Sequence, residues 1–108
     1  MTRRRVVITG LGIISPVGNT VEQAWQNIVA GRSGIDRVTR FDASSFPVQI
    51  AGEVKNFNVA DYLPLKDARR MDTFIHYGMA AGIQAIKDAG LEAHPANAER
   101  IGVSIGSG

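Results

Sequence analysis

Arg5-Val6-Val7-Ile8-Thr9 is the stretch that decides the fold class of this chain. Its three consecutive β-branched residues lie between basic residues and a glycine, which is typical of a short strand. A continuous apolar run has no polar side to turn toward water, so it suits a parallel strand that is covered on both faces. The stretch therefore predicts an α/β fold.

The residues after this strand predict a loop and then an amphipathic helix. Residues 10–19 contain three glycines and a proline, which indicates a loop. Thr20 is a good N-cap, and Gln23 three residues later completes a capping box. Gly31 supplies the C-terminal stop. Apolar residues recur between them at helical spacing, at Val21, Ala24, Trp25, Ile28 and Val29.

The second half of the chain predicts two more strands and one long helix. Gly34-Ile35 and residues 41–47 have turn chemistry that indicates loops, and residues 48–54 alternate well enough for a strand. Residues 72–89 predict a helix that ends at Gly90, and its many small residues suit an interior position. Residues 101–105 predict a further strand. The core candidates with large side chains are Trp25, Met71, Phe74 and Met79.

Two buried parallel-type strands need additional strands and helices on both faces of their sheet. The chain also ends in Gly106-Ser107-Gly108, directly after a predicted core strand. We therefore expect residues 1–108 to form one partial domain that is incomplete at its C-terminal end.

Composition narrows the possible functions. The 108 residues are 44% apolar and 20% charged, as in an ordinary folded protein, and the net charge of +2 is too small to indicate nucleic acid. The chain has no cysteine, which excludes disulfides and thiolate nucleophiles within it. No apolar run is long enough for a signal peptide or a membrane span. A cytoplasmic protein with no membrane or nucleic-acid partner is expected.

Lys66, Arg69 and Arg70, which we call the basic cluster, share one face of a helical turn at spacings i, i+3 and i+4. One interpretation is a solvated charged face with Asp67 and Asp72 as local partners. The other is a docking surface for an acidic partner, which would speed encounter and be weakened by salt. Composition alone favours the solvated face.

Gly10-Leu11-Gly12-Ile13-Ile14-Ser15 partly matches a dinucleotide-binding loop, in which glycines let backbone amides hold a pyrophosphate at a helix N-terminus. Here a serine replaces the last glycine and the predicted helix starts too late, so a tight strand-to-loop turn is favoured. His76 and His94 have no serine–carboxylate or metal-ligand pattern around them, so we expect structural roles for both.

Taken together, these features resemble the start of bacterial β-ketoacyl-acyl carrier protein synthases, and of type II more than type I. The resemblance covers the whole chain in order. The matching stretches are Arg4-Arg5-Val6-Val7-Ile8-Thr9-Gly10-Leu11-Gly12, Ser15-Pro16-Val17-Gly18-Asn19-Thr20, Gly31-Arg32-Ser33-Gly34-Ile35, Arg70-Met71-Asp72, Arg100-Ile101-Gly102 and Ile105-Gly106-Ser107-Gly108. Polyketide ketosynthases and their cysteine-lacking chain-length partners share much of this pattern and remain an alternative, as does a small nucleotide-binding domain.

The resemblance implies a thiolase-type layered α-β-α-β-α fold, of which this chain would form part of the N-terminal half, in a homodimer. It implies fatty-acid elongation by decarboxylative condensation of malonyl-carrier protein with an enzyme-bound acyl thioester, without cofactor or metal. The family's catalytic cysteine and histidines lie beyond residue 108, so no catalytic residue is expected in this chain. The basic cluster matches residues that dock acyl carrier protein. Gly106-Ser107-Gly108 leads into the family's acyl-pocket and dimer-interface region.

Overall fold

The computed structural model describes residues 2–108. Its regular elements are three helices, two strands and two 3₁₀ turns, in a mixed α and β arrangement. In chain order they are α1 (Val21–Val29), β1 (Ile35–Arg37), β2 (Ile50–Gly52), a 3₁₀ turn (Val59–Asp61), α2 (Leu65–Ala68), α3 (Thr73–Ala89) and a second 3₁₀ turn (Ala98–Arg100).

Helix α1 forms where its periodicity and its cap predict it. The amide of Gln23 donates to the hydroxyl of Thr20 at 3.1 Å, as in a capping box. The returning bond differs from the prediction, because the Gln23 side chain accepts from the amide of Asn19 and not from that of Thr20. Two of the donors at the start of the helix are satisfied in this way.

Helix α3 is the longest element and confirms the prediction to within one residue. Asp72 is its N-cap residue, and Gly90 ends it in the left-handed conformation with φ of 64°. Glycine takes up this conformation without the steric cost that a Cβ would add. Ala80 is the buried residue of α3, so the interior position predicted for this helix is not formed within residues 2–108.

The predicted strand at residues 48–54 is present but shorter, and its partner was not predicted. Strands β1 and β2 pair antiparallel, with Ile35 opposite Gly52 and Arg37 opposite Ile50. The turn chemistry at Gly34-Ile35 indicated a loop, whereas the strand partners of residues 35–37 lie 13 or more residues away in the sequence. Pairing over that distance depends on the return path of the chain and leaves no local pattern.

The strands predicted at residues 5–9 and 101–105 do not form, so both predictions are wrong for residues 2–108. Neither segment makes an inter-strand hydrogen bond to the rest of these residues. Their apolar side chains are open to solvent, with Val6 at 93% and Val103 at 81% exposure. A strand forms only when a neighbouring strand makes hydrogen bonds to its amides and carbonyls, and residues 2–108 provide no such neighbour for these two segments.

The described chain does not enclose a hydrophobic core of its own. Its radius of gyration is 17.5 Å, against about 13 Å for a compact domain of this size. Its accessible surface is 9156 Å², against about 5,800 Å² for a compact monomer of its mass. The buried apolar residues are four alanines, at 24, 43, 68 and 80. Trp25 is 63% exposed, and Phe74 and Met79 are exposed as well, contrary to their prediction as core residues.

Within residues 2–108, no helix has the length and apolar character needed to cross a membrane.

Candidate functional site

The basic cluster lies on α2 and on the helical turn that continues it. The amide of Arg69 donates to the carbonyl of Leu65, and the amide of Arg70 donates to that of Asp67, both at 3.1 Å. All three basic side chains are exposed, whereas Ala68 in the same turn is only 4% exposed. Lys66, Arg69 and Arg70 therefore lie on the solvent side of the turn, opposite the residue that packs inward.

The acidic neighbours of the basic cluster do not neutralise it by ion pairing. Among residues 2–108 the structure has one ion pair, between Arg40 and Glu53 at 4.0 Å, and it lies outside the cluster. Asp67 and Asp72, the two local partners considered from the sequence, form no ion pair with the cluster in this part of the chain. The cluster thus presents three cationic groups to solvent.

A half-buried histidine connects the turn of the basic cluster to α3. The Nε2 atom of His76 lies 2.8 Å from the backbone carbonyl oxygen of Ala68. Since a carbonyl oxygen only accepts, Nε2 must carry the proton and donate it. The same carbonyl accepts from the amide of Met71 at 3.1 Å. Ala68 is therefore held from two directions at the end of α2.

Three aromatic rings pack between α3 and the segment that precedes α2. The rings of Phe57 and Tyr62 are stacked at 5.9 Å, and Phe57 meets Tyr77 edge-on at 5.2 Å. The hydroxyl of Tyr77 accepts from the guanidinium of Arg40 at 2.8 Å. These contacts combine apolar burial with a satisfied polar end, which suits a fixed connection between segments. They join the region around α2 and the β1–β2 hairpin to α3.

In the glycine-rich segment at residues 106–108, the first two residues face α3 across an apolar space. Gly106 and Ser107 line a cavity of about 430 Å³, whereas Gly108 does not. The remaining lining residues come from α3 and from the preceding apolar residue; they are Phe74, Ile75, Tyr77, Gly78, Met79 and Ile105. Most of them are apolar, so this space suits a hydrocarbon chain or an apolar side chain better than a polar ligand.

The loop at residues 10–15 uses its glycines to lie against α3. A Cβ at Gly12 would collide with the backbone carbonyl of Ala81 and lie 2.8 Å from Cβ of Gln84. The amide of Leu11 donates to the carboxylate of Asp88 at 3.0 Å, and that of Ile13 donates to Gln84 at 3.1 Å. Two amides of the loop are therefore engaged within the chain, and one of their acceptors is a carboxylate, which would repel a phosphate. The structure therefore favours the tight turn over nucleotide binding.

The two histidines differ in what their rings contact. The ring of His76 binds Ala68, whereas the hydrogen bonds of His94 within residues 2–108 are made by its backbone. In the same part of the chain no group of three or more histidine, aspartate or glutamate side chains is placed to hold a metal.

Sequence reasoning missed Gln84 and Asp88, two polar residues of α3 that position other segments, and for His76 it expected a structural role without identifying the partner. A signal was present, since each is a hydrogen-bonding side chain on a helix that is otherwise rich in small and apolar residues. The backbone partners of Gln84 and Asp88 lie 65 or more positions away in the sequence, and no spacing rule identifies them.

The family model described as the N-terminal domain of β-ketoacyl synthases matches residues 3–108. The chain therefore belongs to the β-ketoacyl synthase family. This confirms the resemblance inferred from the ordered motifs along the chain.

Curated relatives match over the whole chain. It is 56% identical over 108 residues to the 3-oxoacyl-[acyl-carrier-protein] synthase 2 of Vibrio cholerae serotype O1, and these cover 100% of the chain and 26% of that relative. It is 55% identical over 108 residues to the synthase 2 of Coxiella burnetii, again covering 100% of the chain and 26% of the relative. With Staphylococcus aureus synthase 2 the identity is 50% over 105 residues, or 97% of the chain and 25% of the relative. The chain thus spans about a quarter of the length of these proteins.

A solved structure, the ishigamide ketosynthase/chain length factor, superposes with a TM-score of 0.73 and 41% sequence identity. The match covers 84% of this chain and 23% of that one. The predicted fold class is confirmed, since the mixed helix and strand arrangement matches part of a ketosynthase of the thiolase type.

Proposed function

We propose that these residues form the N-terminal part of a 3-oxoacyl-acyl carrier protein synthase II that elongates fatty acids. The observation that carries the proposal is the identity of 50 to 56% along essentially the whole chain to relatives with that name. The open apolar surface of residues 2–108 supports a role as one part of a larger layered domain, because exposed core-type residues need cover. We place the protein in the cytoplasm as a homodimer.

In the proposed reaction an acyl group moves from the thiol of its carrier protein to a cysteine thiolate of the enzyme. Malonyl-carrier protein loses carbon dioxide, and its carbanion attacks the new thioester and releases the thiolate. Residues of a complete synthase outside this chain supply the cysteine and the histidines that stabilise the enolate oxygen. The chain itself supplies scaffold and docking surface.

The basic cluster is the proposed docking surface for the acidic acyl carrier protein. Three features support it over a merely solvated face: its cations are exposed, they lack ion pairs within residues 2–108, and the turn beneath them is held by packing and hydrogen bonds. Charges without ion-pair partners attract an oppositely charged molecule without first breaking other interactions. The attraction should weaken as salt increases, because exposed charges are screened.

Reversing one charge tests the docking proposal in an active synthase that carries these 108 residues. Arg69→Glu should weaken binding of acyl carrier protein about tenfold at low salt, and the difference from wild type should shrink in high salt. Arg37→Glu, on β1 and outside the cluster, is the matched control and should have a much smaller effect. Equal losses for the two variants would show a general charge effect and contradict specific docking by the cluster.

The segment Gly106-Ser107-Gly108 is proposed to border the acyl pocket or the dimer interface. The apolar cavity between this segment and α3 supports this, since both an acyl chain and a partner's apolar side chains would fill it favourably. Glycines at 106 and 108 permit close approach of either.

A polyketide ketosynthase or its chain-length partner is the second candidate. The 41% identity to the ishigamide ketosynthase/chain length factor supports it, although the synthase 2 relatives are more similar. Condensation of fatty acyl and malonyl carrier proteins by the complete protein, lost on alkylating its cysteine, would favour the synthase. A complete protein without a nucleophilic cysteine would favour the chain-length partner.

A further inference from the structure

We infer that His76 is a positioning residue that fixes the basic cluster in the orientation in which it receives the acyl carrier protein. The inference rests on the proposed docking function. It assigns His76 a role in binding the partner without any contact between its side chain and the partner.

The turn that carries the basic cluster has little stability of its own. Helix α2 is four residues long, and its N-cap residue Pro64 provides no side-chain hydrogen bond. Isolated helices shorter than about 12 residues are marginal in water, so tertiary contacts must hold this one in place. Lys66, Arg69 and Arg70 point outward and contribute no ion pair within residues 2–108.

Two contacts fix the turn from its inner side. Ala68 is buried, and its carbonyl accepts the Nε2 proton of His76 at 2.8 Å. His76 lies in the first turns of α3, a helix of 17 residues that serves as a rigid base. The bond joins residues eight positions apart and crosses from α3 to α2, so it restricts the direction in which α2 projects.

Loss of this hydrogen bond should weaken binding of the acyl carrier protein more than it slows the condensation reaction. A carbonyl left with one of its two donors can still be solvated, so the turn would remain but sample more orientations. Docking must then restrict the turn to one orientation, and this entropic cost weakens binding. A typical neutral hydrogen bond in a folded protein corresponds to a change of about fivefold in an equilibrium constant.

The test uses an active synthase of the relatives' full length that carries these residues, and it compares two acyl donors. His76→Ala should raise the KM for the acyl-loaded carrier protein about fivefold and leave kcat nearly unchanged. With the acyl thioester of pantetheine, which lacks the protein partner, kcat/KM should stay near the wild-type value. His94→Ala is the matched control, since the hydrogen bonds of His94 in residues 2–108 are made by its backbone.

His76→Gln separates positioning from a charge effect and from misfolding. The amide nitrogen of glutamine lies as many bonds from Cα as Nε2 of histidine and can donate to the same carbonyl. The Gln variant should therefore restore the KM for acyl-carrier protein to within about twofold of wild type. A KM that stays high in the Gln variant would overturn the inference, as would an equal loss with both acyl donors.

The outcomes also separate this inference from the docking proposal. If Arg69→Glu weakens carrier-protein binding and His76→Ala does not, the cluster docks the partner without help from His76, and the inference fails alone. If neither variant changes binding, the docking proposal fails, and the inference fails with it.

Discussion

The backbone amide of Ile13 donates to Oε1 of Gln84 at 3.1 Å, although 71 positions separate the two residues in the sequence. The side-chain amide of Gln84 also donates to the carbonyl of Asn19 at 2.7 Å and to the hydroxyl of Tyr62 at 2.9 Å. One side chain of α3 thus binds the loop before α1 at two positions, Ile13 and Asn19, and the residue that follows the first 3₁₀ turn, Tyr62. These bonds fix α3 relative to two other segments.

Replacing Gln84 should therefore destabilise the fold. Gln84→Ala leaves three part-buried polar groups without their partner, so we expect the free energy of unfolding to fall by about 2 kcal/mol. Denaturant unfolding of a synthase that carries these residues measures the change. The matched control is Gln26→Ala on α1, where the side chain is exposed and makes no hydrogen bond in the described residues. Equal stability of the two variants would contradict the connecting role of Gln84.

Replacing Gly12 with any larger residue should destabilise the fold. Its Cβ would collide with the backbone of α3 at Ala81, and backbone atoms cannot move aside as the end of a flexible side chain can. We expect Gly12→Ala to lower the free energy of unfolding by about 1–3 kcal/mol, with a larger loss for Gly12→Val. Thermal unfolding of the same synthase checks the order of the series. If the alanine variant is as stable as wild type, the loop does not pack on α3 as described.

Glu53 should make stability depend on pH below neutrality. The hydroxyl of Thr39 donates to its carboxylate at 2.9 Å, and the amides of Thr39 and Arg40 donate to it as well. The hydrogen bond from the Thr39 side chain is the largest cause that lowers the pKa of Glu53 below its ordinary value of 4.5, despite the opposing effect of burial. Because the pKa of Glu53 is lower in the folded state, its ionised carboxylate stabilises the protein at pH values above the ordinary pKa. This stabilisation is lost as the pH falls through the folded pKa.

Glu53→Gln should therefore be less stable than wild type near neutral pH, and the difference should narrow as the pH drops below 4.5, the ordinary pKa of Glu53. Unfolding by denaturant across the acid range measures it. Glu99→Gln is the control, since its carboxylate makes no hydrogen bond in residues 2–108. If the difference in the free energy of unfolding between Glu53→Gln and wild type stays constant down to low pH, Glu53 does not cause the pH dependence.

The sequence predicted what local interactions control. Helices α1 and α3 were predicted from their apolar spacing, from Thr20 as N-cap and from Gly90 as terminator, all of which act within a few residues. The family followed from ordered motifs along the chain and agrees with the match over residues 3–108. The basic cluster was also visible, because its spacing places its members on one side of a helical turn.

The strands show where local patterns stop being informative. Residues 5–9 and 101–105 have strong β propensity but no strand neighbours within the described chain, whereas the weaker pattern at residues 35–37 forms a strand because residues 50–52 pair with it. A strand depends on hydrogen bonds to another segment, so propensity alone does not decide whether it forms.

The candidate site likewise has some features that the sequence predicts and others that only the tertiary structure shows. The sequence predicted the three cations of the basic cluster and the glycines at 106 and 108. Only the tertiary structure shows that Ala68 is buried beneath the cluster and bonded to His76, and that Gly12 contacts α3 while Leu11 donates to Asp88. Charge and helical spacing are properties of neighbouring residues, whereas these contacts join backbone groups to side chains up to 77 positions away, and only the folded path of the chain brings them together.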